Sequence, residues 1–242
     1  MADFEVLRGK AILAERVERF ADVIKFIDKM DDSWKKTEDI IKLWCIASKQ
    51  ILEQDRNSIL AIKEFTNYSN QSIGSKAGKE YNIYLKFLES RFSNNCRNFN
   101  GMLGEMTSWK DLRPETIIQL NKTAGDYLRY ELELDLSTNH DESLKVKAER
   151  YYATASSEID KFCPSPMTNI LKLSVKLNFA IFLYERMKKK DEAQKLLKEN
   201  LEEGLENLES QKDSEELKEY TYLLNLMDKT MFKWKDQQKM EH

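Results

Sequence analysis

Two guanidiniums, one ammonium and one phenol set the first question this sequence poses. Lys49 and Arg56 are seven residues apart, which on a helix puts both side chains on one face, two turns apart. Arg129 and Tyr130 are consecutive within GDYLRYELE, residues 125 to 133, an otherwise acidic stretch. Planar guanidinium donors, a compact ammonium charge and a neutral hydroxyl are together what a doubly charged oxyanion such as a phosphate monoester needs. Cations gathered this way repel one another when nothing is bound, and Asp126 and Glu185 are carboxylates able to temper that.

The same residues have a plainer reading. On a helical wheel Ile117, Leu120, Ala124 and Leu128 form an apolar stripe, with Lys122, Asp126, Arg129 and Glu133 opposite. Taken alone, that side is also what a solvated face looks like, laced by Lys122 with Asp126, Asp126 with Arg129, and Arg129 with Glu133 at spacings of three and four. The binding reading requires Lys49 and Arg56 to join from another helix.

Other chemistries find little material. There are two histidines, His140 in a loop-like stretch and His242 at the last position, too few for a histidine triad or a His-rich metal site. GSKAGKE, residues 74 to 80, has three residues between its glycines and Glu80 after Lys79, whereas a phosphate loop needs four, with Ser or Thr after the lysine. Cys45, Cys96 and Cys163 are dozens of residues apart and fit neither a disulfide framework nor a zinc pattern, so they are expected to be reduced, buried thiols. The expectation is no catalytic residue, no metal and no cofactor. Lys and Arg number 39 against 42 Asp and Glu, a net charge of −3, which gives no global field for nucleic acid or an anionic membrane. No run approaches the ~20 apolar residues of a transmembrane helix, and MADFEVLRGK carries charges where a signal peptide needs an apolar stretch, so a cytoplasmic protein is expected.

The elements that must position these residues read as helices. Seven Gly and three Pro in 242 residues are too few for many short strands, so the fold class is all-α. Apolar residues recurring at three and four predict about nine antiparallel helices in a single domain over residues 1–236, with 237–242 a short flexible tail. They lie near 3–17, 19–31, 37–67, from about 78 to Gly101 or Gly104, from Pro114 to about 136, and over 141–163, 167–188, 191–209 and 214–237. Thr37 is the expected N-cap of the third helix, and Pro114, followed by Glu115, opens the fifth at a first-turn position.

At KAILAERVERFADVI (10 to 24), GDYLRYELE (125 to 133) and LNFAIFLYE (177 to 185) the sequence resembles the 14-3-3 family of phosphoserine and phosphothreonine binding adaptors, over about residues 5 to 235. That resemblance implies a cup-shaped dimer of all-helical protomers, each with a concave groove. It implies that Lys49, Arg56, Arg129 and Tyr130 hold the phosphate and that Lys122 is a further basic residue of the groove. It also implies that Asn178 hydrogen-bonds the ligand backbone, with Glu185 on the same face. The groove wall maps to Leu177, Ile181, Leu223 and Leu226, with Tyr222 in place of a leucine, Thr230 in place of a second backbone-binding asparagine, and Trp234 near the end. Between Pro166 and Asn178 the chain has about one helical turn more than the family.

For pairing, the resemblance implies Leu13, Val17, Ile62 and Tyr84 as apolar interface residues, with Arg19 and Asp22 as interface charges. On the register that aligns Tyr84 and Cys96, the residues opposite Arg19 and Asp22 are Arg91 and Phe87, so one ion pair becomes repulsive and the other is lost. The implied partners are phosphorylated proteins or peptides and a second 14-3-3-like protomer, identical or paralogous, with no nucleic acid and no membrane insertion. The implied function is that of a non-enzymatic signalling adaptor. The alternative is a tetratricopeptide-like scaffold that binds peptides irrespective of phosphorylation, because LNFAIFLYERMKKKDEAQKLLKENLE resembles such a helix pair; no 34-residue period reaches the long third and fourth helices.

Overall fold

The computed structural model describes residues 4–68, 76–134, 141–164, 169–211 and 216–240. Among them are ten α-helices and one short 3-10 helix: α1 Phe4–Arg16, α2 Phe20–Asp28, α3 Asp32–Lys35, α4 Glu38–Tyr68, α5 Lys76–Met106, α6 Pro114–Leu134, α7 Asp141–Phe162, α8 Ile170–Glu185, α9 Lys190–Glu206 and α10 Leu217–Met240, with the 3-10 turn at Leu208–Gln211. The fold is all-α. The additional helix, α3, is a single turn over DSWK, too short to show an apolar period. α10 continues past Trp234 to Met240, through most of the stretch expected to be a tail. His140, Pro166 and His242 lie outside the described residues, so the extra turn expected after Pro166 is only partly covered.

The chain packs as two compact units, one of Met1–Leu112 with Tyr130–Asp141 and one of Arg113–Arg129 with Glu142–His242. In the first, α1, α2 and α3 pack on α4, and α4 packs on α5. The α5 stripe Leu88, Phe92, Cys96, Phe99, Leu103 and Met106 is buried at the spacing of one helix face, and Phe99 meets Trp44 of α4 edge to face at 5.5 Å. Cys96 is part of this stripe, and burial first, then the charges of Glu131 and Asp55, push its thiol well above its usual range. α1 is closed by Glu18, two residues past its end, in a left-handed conformation (φ 58°). There the Arg19 N–H donates to the Ala14 carbonyl at 2.8 Å and the Glu18 N–H to Glu15 at 2.9 Å, the paired bonds of a Schellman ending that turns the chain into α2.

In the second unit α8 packs on α9 and α10 and is buried over most of its circumference. It starts at Asn169, whose side chain accepts from the Lys172 N–H at 2.8 Å, satisfying one of the helix's orphan donors. Two lysines of α8 are interior and answered there: Lys172 by Glu203 at 2.9 Å, Lys176 by Asp160 at 2.6 Å and Ser156 Oγ at 2.8 Å. α10 packs closely on α9 because residue 204 is glycine: a Cβ there would stand 2.6 Å from Leu224 Cδ2. Pro114 opens α6 with Glu115 in the first turn, as the sequence predicts. Thr37 precedes α4, and its hydroxyl donates back to the Trp34 carbonyl at 2.7 Å.

Candidate functional site

The candidate residues of the second unit are organised around one carboxylate. Asp126 is 2% exposed. It accepts from Lys122 Nζ at 2.9 Å, from the Tyr152 hydroxyl at 2.6 Å and from Asn178 Nδ2 at 2.8 Å. Arg129 Nη2 lies 3.8 Å from the same carboxylate, and its Nε donates to the Tyr152 hydroxyl at 3.2 Å. Burial alone would raise the Asp126 carboxyl, but the charges of Lys122 and Arg129 and the bonds from Tyr152 and Lys122 hold it below the usual carboxylate range. Burial, then the Asp126 charge, keeps Tyr152 protonated well above its ordinary value, so it remains a donor to Asp126.

The local sequence makes this possible. Gly125 precedes Asp126, and a Cβ there would meet three ring atoms of Tyr152 at 3.0 Å; the glycine is what lets the α7 ring lie against α6. Phe179 and Phe182 of α8 flank that ring at 5.8 and 5.3 Å between centroids. The hub therefore fixes both Arg129 and Asn178, one from α6 and one from α8. It also corrects two expectations. The side of α6 that carries Lys122 and Asp126 is buried, not solvated, and Lys122, 6% exposed, braces Asp126 where a groove-lining cation was expected.

From Leu171 onward the partly or fully exposed positions of α8 run Leu171, Ser174, Asn178, Ile181 and Glu185, a single stripe at spacings of three and four. On α10, which packs on α8, Tyr222 is 63% exposed and Leu226 and Thr230 partly so. Leu177 and Leu223 are buried and back this surface from within. The Thr230 hydroxyl donates to the Leu226 carbonyl of its own helix at 2.7 Å. Trp234, expected in the groove, is 2% exposed and stacks face to face on Tyr184 at 4.1 Å; its ring belongs to the core.

The first unit holds Lys49, Arg56 and Tyr130. Arg56 makes a two-pronged contact with Glu133, Nε to Oε2 at 2.7 Å and Nη2 to Oε1 at 2.6 Å, and its guanidinium lies over the Tyr130 ring at 5.2 Å. The Tyr130 hydroxyl donates to Glu53 at 3.1 Å, and Lys49 Nζ is 3.6 Å from the same Glu53 oxygen. Two cations and a hydroxyl are thus each met by a carboxylate. Sequence reasoning missed Glu53 and paired Glu133 with Arg129 instead of Arg56. Glu53 was findable, four residues after Lys49 on one helix; Glu133 is 77 residues from Arg56 and only the fold joins them. It missed Tyr152 as well, for which a glycine opposite an aromatic gives no sequence signal.

The residues expected at a protomer interface also lie in the first unit. Leu13, Val17 and Tyr84 are exposed, Ile62 is partly buried, and Arg19, the residue before α2, donates to Asp22 in its first turn. Among the described residues no cluster of His, Cys, Asp and Glu could hold a metal ion, and no helix is long and apolar enough to cross a membrane.

Known proteins resemble the chain throughout. It is 26% identical over 236 residues to 14-3-3 protein homolog 2 of Echinococcus multilocularis, covering 96% of this chain and 91% of that one. It is 26% identical to 14-3-3 protein zeta of Bombyx mori, with 96% and 92% covered, and 24% identical to 14-3-3-like protein B of Nicotiana tabacum, with 93% and 88% covered. The profile of the 14-3-3 protein family matches residues 10–235, which takes in every residue of the hub, the α8 stripe and the Arg56–Glu133 contact, and on that footing the chain belongs to the 14-3-3 family.

Proposed function

We propose that this chain is a phosphopeptide-binding adaptor without catalysis of its own, which regulates phosphorylated client proteins in signalling and pairs with a second 14-3-3 protomer. Lys49, Arg56, Arg129 and Tyr130 grip the phosphoserine or phosphothreonine group. Asn178 holds the ligand backbone, and Ile181, Leu226, Tyr222 and Glu185 form the wall beside it. Binding does the work, by masking or reshaping the client.

The observation that carries the proposal is the Asp126 hub. A cation and an amide whose side chains are already oriented by a buried carboxylate lose little freedom when they take up a ligand, and Arg129 is followed directly in the chain by Tyr130. The match to the family over residues 10–235 supports the same reading. Thr230, whose hydroxyl is engaged within α10, contributes less to the ligand backbone than an asparagine would.

A titration with a phosphoserine peptide and its unphosphorylated twin tests the proposal. Charge-assisted hydrogen bonds are worth ~1.5–3 kcal/mol each, so three of them, less ordering costs, give a preference of about 4–5 kcal/mol, or about a thousandfold, for the phosphorylated form. Arg129→Ala is expected to abolish that preference and leave the helical circular dichroism unchanged, because Asp126 keeps Lys122, Tyr152 and Asn178. Equal affinity for the two peptides, or full binding by the variant, refutes it.

A further inference from the structure

In the first unit α2 ends on an acid. Asp28 is its last residue, a position where the helix dipole favours a cation over a carboxylate. Among the described residues the Asp28 side chain makes no hydrogen bond and no ion pair. Lys25 and Lys29, its near neighbours in the chain, form none with it, and Lys35, whose charge does reach it, is paired with Asp32 at 3.3 Å. Asp28 is open to solvent on one side, yet partial burial raises its carboxyl, and the Lys35 charge only partly offsets that. An acid set against the local rule and left unanswered is the kind of misfit that marks a functional position.

Asp28 lines a hollow of about 210 Å³ formed by the end of α2, α3, the start of α4 and the end of α5. Ile27, Ile40, Trp44 and Met106, all buried, give it an apolar floor together with Met102. Trp109 also lines it, and the Lys36 ammonium lies 5.7 Å from the centre of that ring. The volume is below the ~300–1,000 Å³ of sites for drug-sized ligands, so the occupant is one ring with a short chain. Asp28, Trp44 and Met102 line a larger cleft of about 720 Å³ as well, so the hollow is not closed off at Asp28.

We infer that this hollow binds a small aromatic amine, its ring laid among Trp44, Met102 and Met106 and its ammonium on the Asp28 carboxylate. Thioether sulfurs and an indole suit an aromatic ring better than an aliphatic chain. Local charge selects the cation. Asp32 and Lys35 answer each other, which leaves two carboxylates without an ion partner among the described residues, Asp28 and Glu105, against one lysine, Lys36. The ammonium also gains from the C-terminal end of α2, which the Asp28 side chain itself cannot satisfy. None of the residues proposed to hold phosphate lines the hollow, so this site is separate from the phosphopeptide one.

The test is isothermal titration calorimetry of the full chain with phenethylamine, phenethyl alcohol and phenylacetate, which share a ring and differ in charge. Phenethylamine is expected to bind with a dissociation constant of about 1 mM or tighter, and the alcohol and the acid at least about tenfold more weakly. Asp28→Asn is expected to bring the amine down to the affinity of the alcohol, with the helical circular dichroism unchanged because the carboxyl holds no bond. Asp31→Asn removes the same charge from an exposed residue outside the hollow and is expected to leave the amine within about twofold of wild type. No heat from phenethylamine at about 10 mM overturns the site. Equal affinity for amine and alcohol, tighter binding of phenylacetate, or an Asp28→Asn protein that binds the amine like wild type overturns the role of Asp28.

Discussion

Replacing Asp126 with asparagine isolates the physical claim on which the binding reading depends. The side chain keeps its shape but loses its charge, and one of its two acceptor oxygens becomes an NH2 donor. Three donors now converge on it, Lys122 at 2.9 Å, Tyr152 at 2.6 Å and Asn178 at 2.8 Å. The remaining oxygen can accept from both Tyr152 and Asn178, which already share Oδ1, but the new donor then faces the Lys122 ammonium, whose side chain is 7% exposed and has little water to turn to. Breaking a buried ion pair by removing one partner costs ~3–5 kcal/mol. The surviving oxygen puts Asp126→Asn at the lower end, about 3 kcal/mol, which for a chain of this size lowers the melting midpoint by about 6–12 °C. Urea and thermal unfolding followed by circular dichroism measure it. Adding Lys122→Met removes the stranded charge and is expected to return at least about 1.5 kcal/mol. A loss below about 1 kcal/mol, or a double variant in which the two losses simply add, would show that Asp126 is not the centre of this network.

The remaining predictions concern stability. Because the folded Asp126 carboxyl sits below its usual range, its stabilisation is fully present above the unfolded value of ~3.9 and is lost as pH falls through the lower folded one; the stability difference between wild type and Asp126→Asn should therefore shrink below about pH 4, and a difference that is constant into acid would contradict the sign. Gly125→Ala gains helix propensity of ~1 kcal/mol but presses a methyl group against the Tyr152 ring. That ring is held by two phenylalanines and by Asp126 and has nowhere to move, so a net loss of about 1–2 kcal/mol is expected, and unchanged or raised stability by urea titration would refute the packing argument.

Helix existence was legible in the sequence because the apolar stripes are long: the Pro114 start of α6 read directly, and the long helix before it was found, although α5 runs on to Met106 past the end expected at Gly101 or Gly104. α3 was not, since four residues cannot show a period. The wheel placed Lys122 and Asp126 correctly, opposite Ala124 and Leu128, but it misread their surroundings, because polarity marks solvent only when no polar partner waits on another helix, and Tyr152 and Asn178 do. Trp234 was placed by resemblance among groove residues, and no spacing rule could reveal that Tyr184, 50 residues earlier, covers its ring. Local pairs such as Lys49 with Glu53 follow from helix geometry; Arg56 with Glu133 and Arg91 with Asp55 span 77 and 36 residues and belong to the fold alone.

The Asp126 hub has a consequence for how such a chain can change over generations. Lys122, Asp126, Arg129, Tyr152 and Asn178, with Gly125 beneath the ring, form a closed set in which each member answers another. Replacing Asp126 strands the Lys122 charge in the interior, and replacing Lys122 strands part of the Asp126 charge, before a second change can compensate. Drift elsewhere in the chain proceeds one residue at a time; here it would have to proceed several at once, so a divergent lineage that abandons this hub is expected to abandon all of it.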